Sequence, residues 1–232
     1  MKITVLGDGA WGTALATLAH SKGHDVTLWG YFPEYIEQIR EKRENSQFLP
    51  GIILPDEIKM TSDIAGAVVN SEIVIIAVPV KYMAGILQQN ALSAIPDNAV
   101  LVNVAKGIDT NTLKAPSDIV KQSLGDVSYV AMSGPSHAEE VAEKMPTAVV
   151  AAGADEQTAE KVQQALSTDF FRIYTASDVV GVELGGALKN VFALAAGICD
   201  GMGFGDNSKA ALITRGIAEM ARLGKALGGD PS

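Results

Sequence analysis

The chain has 232 residues, 47% of them hydrophobic and 19% charged, with a formal net charge of -9. That composition excludes a disordered or fibrous chain and supplies enough apolar material for a sheet buried on both faces. The acidic balance argues against a nucleic-acid surface, and the single cysteine, Cys199, excludes a disulfide framework and a thiolate metal cluster.

In chain order, the apolar run at 3–6 reads as a strand and is followed at once by Gly7-Asp8-Gly9-Ala10-Trp11-Gly12. A glycine-rich turn between a strand and a helix is where a pyrophosphate binds. Gly7 permits the tight turn, Gly9 lets the backbone approach phosphate oxygens, and Gly12 lets the next helix pack closely on the strand. The anion would meet unpaired N–H groups and the positive end of the helix dipole. Gly7, Gly9, Ala10, Trp11 and Gly12 are therefore the expected cofactor turn. Ala14, Leu15, Leu18 and Ala19 recur at helical spacing and Gly23 closes that helix, so 25–29 is the second strand. The end of such a strand normally carries an acid for the ribose 2′-hydroxyl or an arginine for a 2′-phosphate. Gly30-Tyr31-Phe32 carries neither. The cofactor is expected to be NAD or NADP, with NAD slightly favoured. Tyr31 and Phe32 are expected to pack its adenine side, with aromatic core packing as the alternative for both and for Trp11.

Further strands are expected at 73–78, 100–105, 129–132 and 148–151, with an edge strand at 170–174, all separated by helical stretches. Lys106 follows the strand at 100–105, at its carboxyl edge, where its ammonium can meet a substrate or cofactor phosphate; a snorkelling surface lysine is the alternative. Across 133–139, Ser136 is positioned to cap the next helix while Glu139 reaches back, a capping box. His137 is read as non-catalytic, and three histidines suggest no metal site. From 178 the alternation stops, and two helical patterns follow at 179–200 and 209–227. The expected fold is α/β: a Rossmann-type, doubly wound parallel sheet over 1–177 that binds a dinucleotide, then the start of an all-helical domain over 178–232. Gly228 and Gly229 read as a helix C-cap and Asp230-Pro231 as the start of another helix, so this second domain is expected to be cut short at Ser232. No apolar run is expected to reach transmembrane length, and Lys2 followed so soon by Gly7 and Asp8 makes a poor signal peptide, which together point to the cytoplasm. Cys199, within an apolar run, is expected to be buried.

Six stretches carry a resemblance. They are the opening GDGAWGTALA; Asn45-Ser46-Gln47-Phe48-Leu49-Pro50-Gly51; Ala105-Lys106-Gly107; Ser133-Gly134-Pro135-Ser136-His137-Ala138-Glu139; Gly185-Gly186-Ala187-Leu188-Lys189-Asn190; and Ala211-Leu212-Ile213-Thr214-Arg215-Gly216. Nearly end to end, the chain resembles bacterial NAD(P)-dependent glycerol-3-phosphate dehydrogenase. The resemblance implies interconversion of sn-glycerol 3-phosphate and dihydroxyacetone phosphate, running in the cell in the reducing direction to supply the phospholipid backbone. It implies that Lys189 transfers the proton, that Asn190 orients substrate oxygens, that Gly134 and Ser136 touch substrate and that Ala138 touches the cofactor.

The residues support that chemistry independently. Lys189 stands among Leu184, Ala187, Leu188, Val191 and Phe192, where a lysine is normally excluded unless paired or functional. With Lys106 as a neighbouring cation and partial desolvation, such a lysine can exchange a proton with a hydroxyl. Asn190 serves equally well as a backbone hydrogen-bonding residue.

The chain also departs from the family pattern. The basic residue some members carry at the end of the second strand is missing, as are the GD- and SRN-type motifs of their later helices. Thr214 and Arg215 remain as substrate-side groups or as an ordinary helix-face pair. Two alternatives stay open: a related two-domain dehydrogenase acting on another hydroxy acid or phosphorylated alcohol, and a non-catalytic nucleotide-binding module left by truncation. The expected partner is a small-molecule substrate, with a homodimer left open.

Overall fold

The structure, a computed structural model, describes residues 1–230, the side chains at 90 and 91 apart. Strands and helices alternate from the start. β1 (Lys2–Leu6) leads to α1 (Ala10–Ser21), and β2 (Asp25–Trp29) to α2 (Pro33–Lys42). A small ribbon follows, β3 (Glu44–Asn45) and β4 (Leu49–Ile53), then β5 (Lys59–Thr61) and α3 (Ile64–Val68). The chain continues through β6 (Ile73–Ile76), α4 (Val80–Leu87), β7 (Val100–Asn103) and α5 (Pro116–Leu124). Next come β8 (Tyr129–Ser133), α6 (Ala138–Ala142), β9 (Thr147–Gly153), α7 (Glu156–Leu166) and β10 (Phe171–Ala176). Two long helices, α8 (Val179–Gly201) and α9 (Gly205–Ala226), complete the described chain.

Eight strands form one sheet in the order β10-β9-β8-β7-β6-β1-β2-β5. The chain builds outward from β1 through β2 to β5, then returns to the other side of β1 for β6 and works outward again. That reversal opens a crevice beyond the carboxyl ends of β1 and β6, the place where open α/β sheets bind ligands. The sheet is parallel except that β8 and β9 pair antiparallel, with Ser133 opposite Val150. The cause is the connection. Between β8 and β9 lies only the five-residue α6, too little for a crossover, so the chain turns back directly. The eleven-residue α7 supplies the crossover that makes β10 parallel to β9 again.

Side-chain alternation explains why the strands read as continuous apolar runs. Ile3, Val5, Ile73, Ile75, Val100 and Val102 enter one buried cluster; Leu6, Val74, Ile76 and Leu101 enter another on the opposite face. All seven strands expected from the sequence are present, with ends shifted by no more than two residues. β3, β4 and β5 were not legible, because they are short and β4 contains Pro50-Gly51, a turn signal rather than a strand signal.

In the helical part, Asp178 caps α8: its Oδ1 accepts from Gly181 N–H at 2.9 Å, while Oδ2 accepts from Asp230 N–H at 3.0 Å. Gly228 N–H donates to Lys225 O and Gly229 N–H to Gly224 O, so the glycines close α9 as expected. Pro231 of the expected next helix lies outside the described residues. One expectation fails here: α8 is long and apolar enough, by length and composition alone, to cross a membrane. Its apolar residues and glycines are spread around the helix and interrupted by Glu183, Lys189 and Asp200, which is why no single run stood out. It packs on β8, β9 and α9. Cys199 is half-buried rather than buried.

Candidate active site

The glycine turn is built as its spacing requires. Gly7 adopts φ +123°, and a Cβ there would lie 2.8 Å from Ala77 C; a Cβ at Gly12 would lie 1.9 Å from Gly7 O. Those two glycines lock β1, α1 and the end of β6 together. Gly9 differs, since a Cβ there would meet no atom within 4 Å. It borders the crevice. No side chain caps α1, so its first-turn N–H groups point out of the helix end with no side-chain acceptor. This cradle, with the dipole behind it, fits a dinucleotide pyrophosphate.

Facing the turn are two lysines. Asn103 Oδ1 accepts from Ala105 N–H at 3.1 Å, fixing the exit of β7, and Lys106 follows. Lys106 Nζ donates to Ser136 Oγ at 3.1 Å and sits 5.7 Å from the centre of the Trp11 ring, a cation–π contact. Lys189, from α8, donates to Gly134 O at 2.6 Å. α8 can come this close because a side chain at Gly186 is absent: a Cβ there would lie 2.6 Å from Ser133 Oγ. Burial, the Lys189 charge and the Lys189 hydrogen-bonding contact together lower the Lys106 ammonium to a pKa of about 8. The ammonium that the structure depresses is thus that of Lys106.

Ser136 does not cap a helix. His137 is the N-cap of α6 and no side chain caps it; Ser136 Oγ instead donates to Gly134 O at 3.1 Å and accepts from Lys106. The expected capping box fails because α6 starts one residue later than expected, which leaves Ser136 ahead of the N-cap position with its hydroxyl bonded to Gly134 O and Lys106. Gly134, Ser136, Lys106 and Lys189 therefore form one cluster, with Trp11 of the turn beside it. Ala138 is buried against Ala14 and Leu49, next to Ala10 and Trp11. Asn190 lies outside the cluster and is exposed. Tyr31 and Phe32 are 59% and 62% exposed, so they are not core residues. They stand edge to face beyond the end of β2, their centroids 5.1 Å apart. Thr214 bonds back to Ala210 O on its own helix and Arg215 reaches Glu219, an ordinary helix-face arrangement.

Sequence reading missed Glu183. Its carboxylate is buried and accepts from Ser117 N–H at 2.9 Å, Ser117 Oγ–H at 2.6 Å and the Tyr129 hydroxyl. Burial raises its pKa, against the lowering effect of those bonds. The residue pins α8 to the start of α5 and to β8, two turns ahead of Lys189. The signal was available: an acid in an apolar helix needs a partner, by the same argument that singled out Lys189. Glu183→Ala should destabilise the chain by about 3 kcal/mol by leaving buried donors unpaired, and Glu183→Gln should cost less. Denaturant midpoints measure both.

Residues 2–159 match the family description "NAD-dependent glycerol-3-phosphate dehydrogenase N-terminus", and residues 178–232 match the corresponding C-terminus. The chain belongs to this family. It is 51% identical over 234 residues to a protein of Citrifermentans bemidjiense named glycerol-3-phosphate dehydrogenase (NAD(P)+), covering 100% of this chain and 70% of the relative. A Thermoanaerobacter protein of the same name is 51% identical over 232 residues, covering 100% of this chain and 69% of the relative. Among solved structures, the glycerol-3-phosphate dehydrogenase of Coxiella burnetii superposes with a TM-score of 0.91 at 34% identity, covering 99% of this chain and 70% of that one. The family's two parts meet in this structure where α8 brings Lys189 against the end of β8.

Proposed function

We propose that this chain is an NAD(P)-dependent oxidoreductase interconverting sn-glycerol 3-phosphate and dihydroxyacetone phosphate, and that in the cell it supplies glycerol 3-phosphate for phospholipid synthesis. Residues 1–177 hold the dinucleotide, and 178–232 bring substrate-side groups to it. One observation carries the reading: two ammonium groups from different parts of the fold converge on Gly134 and Ser136 beside the pyrophosphate turn.

When bound, the nicotinamide ring supplies or accepts the hydride. The chain's residues do the rest. Gly9 and the first turn of α1 hold the pyrophosphate, and Trp11 closes that side. Lys106 holds an anionic oxygen, because a phosphate offsets both its burial and the neighbouring ammonium. Lys189 handles the proton. Lys189 exchanges the proton with the substrate oxygen, taking it from the hydroxyl as the alcohol is oxidised and returning it to the carbonyl oxygen on reduction.

Two measurements test these roles. With NAD+ and glycerol 3-phosphate the chain should form reduced nicotinamide, whereas glycerol, which lacks the phosphate, should give none; equal rates with both would contradict the reading. Lys106 gives a pH signature with a definite sign. Below about 8 its native ammonium carries the full burial and charge penalty, and between about 8 and 10.5 the native chain has released a proton that the unfolded chain still holds. The stability of the free protein should therefore gain from this group as pH rises through that window, while affinity for phosphate-bearing ligands falls. Lys106→Met should flatten both dependences, as followed by denaturant titration and ligand binding across that pH range.

A further inference from the structure

β2 ends at Trp29, and the next residue, Gly30, stands where dinucleotide-binding sheets place the side chain that reads the adenosine ribose. Gly30 has no side chain, yet its space is filled. A Cβ there would lie 2.3 Å from Asp8 Oδ2 and 2.5 Å from Ile36 Cδ1. The carboxyl of Asp8, reaching across from the glycine turn after β1, occupies the place that an acid on β2 would take.

That carboxyl is also incompletely satisfied. Among the described residues Asp8 Oδ2, which is buried, has no hydrogen-bond partner, and burial raises the pKa of the group. A buried acceptor without a donor is rare enough to need a reason. Asp8 is held in place from behind: its carbonyl accepts from Asn45 Nδ2 at 2.8 Å, and the same amide group donates to Thr13 Oγ1 at 2.8 Å. Asn45 is itself fully buried and accepts from the Tyr35 hydroxyl. The turn residue is thus fixed with an unpaired acceptor at the end of β2, against Gly30, which directly precedes the exposed Tyr31 and Phe32.

We infer that Asp8 selects the cofactor: its carboxylate accepts the adenosine ribose 2′-hydroxyl and turns away a 2′-phosphate, so the chain prefers NAD(H) to NADP(H). The inference rests on the dinucleotide reading above. A ribose hydroxyl supplies the donor that Oδ2 lacks, whereas a 2′-phosphate would set a second negative charge against it. The acid has moved from the end of β2 to the second position of the glycine turn.

The test is a set of binding titrations, followed by tryptophan fluorescence, of the parent chain, Asp8→Asn and Asp8→Ala with NADH, NADPH and 2′-deoxy-NADH. The parent should bind NADH at least about tenfold tighter than NADPH and should lose affinity for the 2′-deoxy ligand. Asp8→Asn keeps an acceptor and removes the charge, so it should tighten NADPH and narrow the gap by about tenfold. Asp8→Ala should weaken NADH and no longer distinguish it from 2′-deoxy-NADH. A folded Asp8→Asn with an unchanged NADH-to-NADPH ratio would overturn the inference, as would a parent chain that binds 2′-deoxy-NADH as well as NADH, a result that needs no variant. A parent that binds neither NADH nor NADPH would overturn the dinucleotide reading as well, which sets that failure apart.

Discussion

Lys189→Met should give a folded chain that binds dinucleotide as the parent does and turns over at least about a hundredfold more slowly, the scale of a positioned acid or base. The structure explains why folding should survive. Lys189 donates to Gly134 O at 2.6 Å, but that carbonyl also accepts from Ser136 Oγ at 3.1 Å, so removing the ammonium does not orphan it. Methionine keeps the unbranched stem, and α8 stays anchored by Glu183, by the cap at Asp178 and by its packing on β8. A second readout separates catalysis from structure. Lys189 is one of the causes that lower Lys106 to about 8, so in the variant the pH at which phosphate-bearing ligands lose affinity should move up. A merely structural lysine would lower stability and leave turnover near normal. In that case the proton-transfer role passes to Lys106.

Gly9→Val should abolish dinucleotide binding while leaving the fold intact. The backbone of Gly9 has φ -72° and ψ 177°, an extended conformation open to any residue, and a Cβ there meets no atom within 4 Å. Valine can therefore be accommodated by the protein. Its methyl groups would fill the space through which the pyrophosphate reaches the first turn of α1, with an expected loss of at least about a hundredfold in affinity, or about 2.7 kcal/mol. Gly12 makes the contrast: a Cβ there would lie 1.9 Å from Gly7 O, so a side chain at Gly12 should disrupt the protein itself. Calorimetric titration with NADH and a thermal melt of each variant distinguish the two kinds of glycine. Retained affinity in a folded Gly9→Val chain would remove the turn from the site.

Most of this framework was legible in the sequence because it rests on local signals. The seven strands follow from short apolar runs bounded by turn residues, and the crevice follows from a glycine turn placed between a strand and a helix. Lys106 and Lys189 were legible for different reasons, one as the residue at a strand exit and the other as a charge in an apolar helix. What remained hidden depends on contacts between distant parts of the chain. Ser136 has the spacing of a helix cap, but α6 starts one residue later and the hydroxyl bonds Gly134 O and Lys106 instead. The antiparallel pairing of β9 depends on the shortness of α6, which sequence periodicity does not resolve. Asp8 carries no role in the motif's spacing, and only the fold brings its carboxyl against Gly30. Asn190, given a role on the substrate oxygens by the resemblance, is exposed and lies outside the lysine cluster.

This chain passes a hydride between a nicotinamide dinucleotide and a three-carbon phosphate. That transfer is tested most directly by the absorbance of reduced nicotinamide after dihydroxyacetone phosphate is added to the folded chain and NADH. A steady fall proportional to the amount of chain is expected, with glycerol 3-phosphate as the product and almost no fall with Lys189→Met. An unchanged absorbance from a folded chain that binds NADH would contradict the transfer.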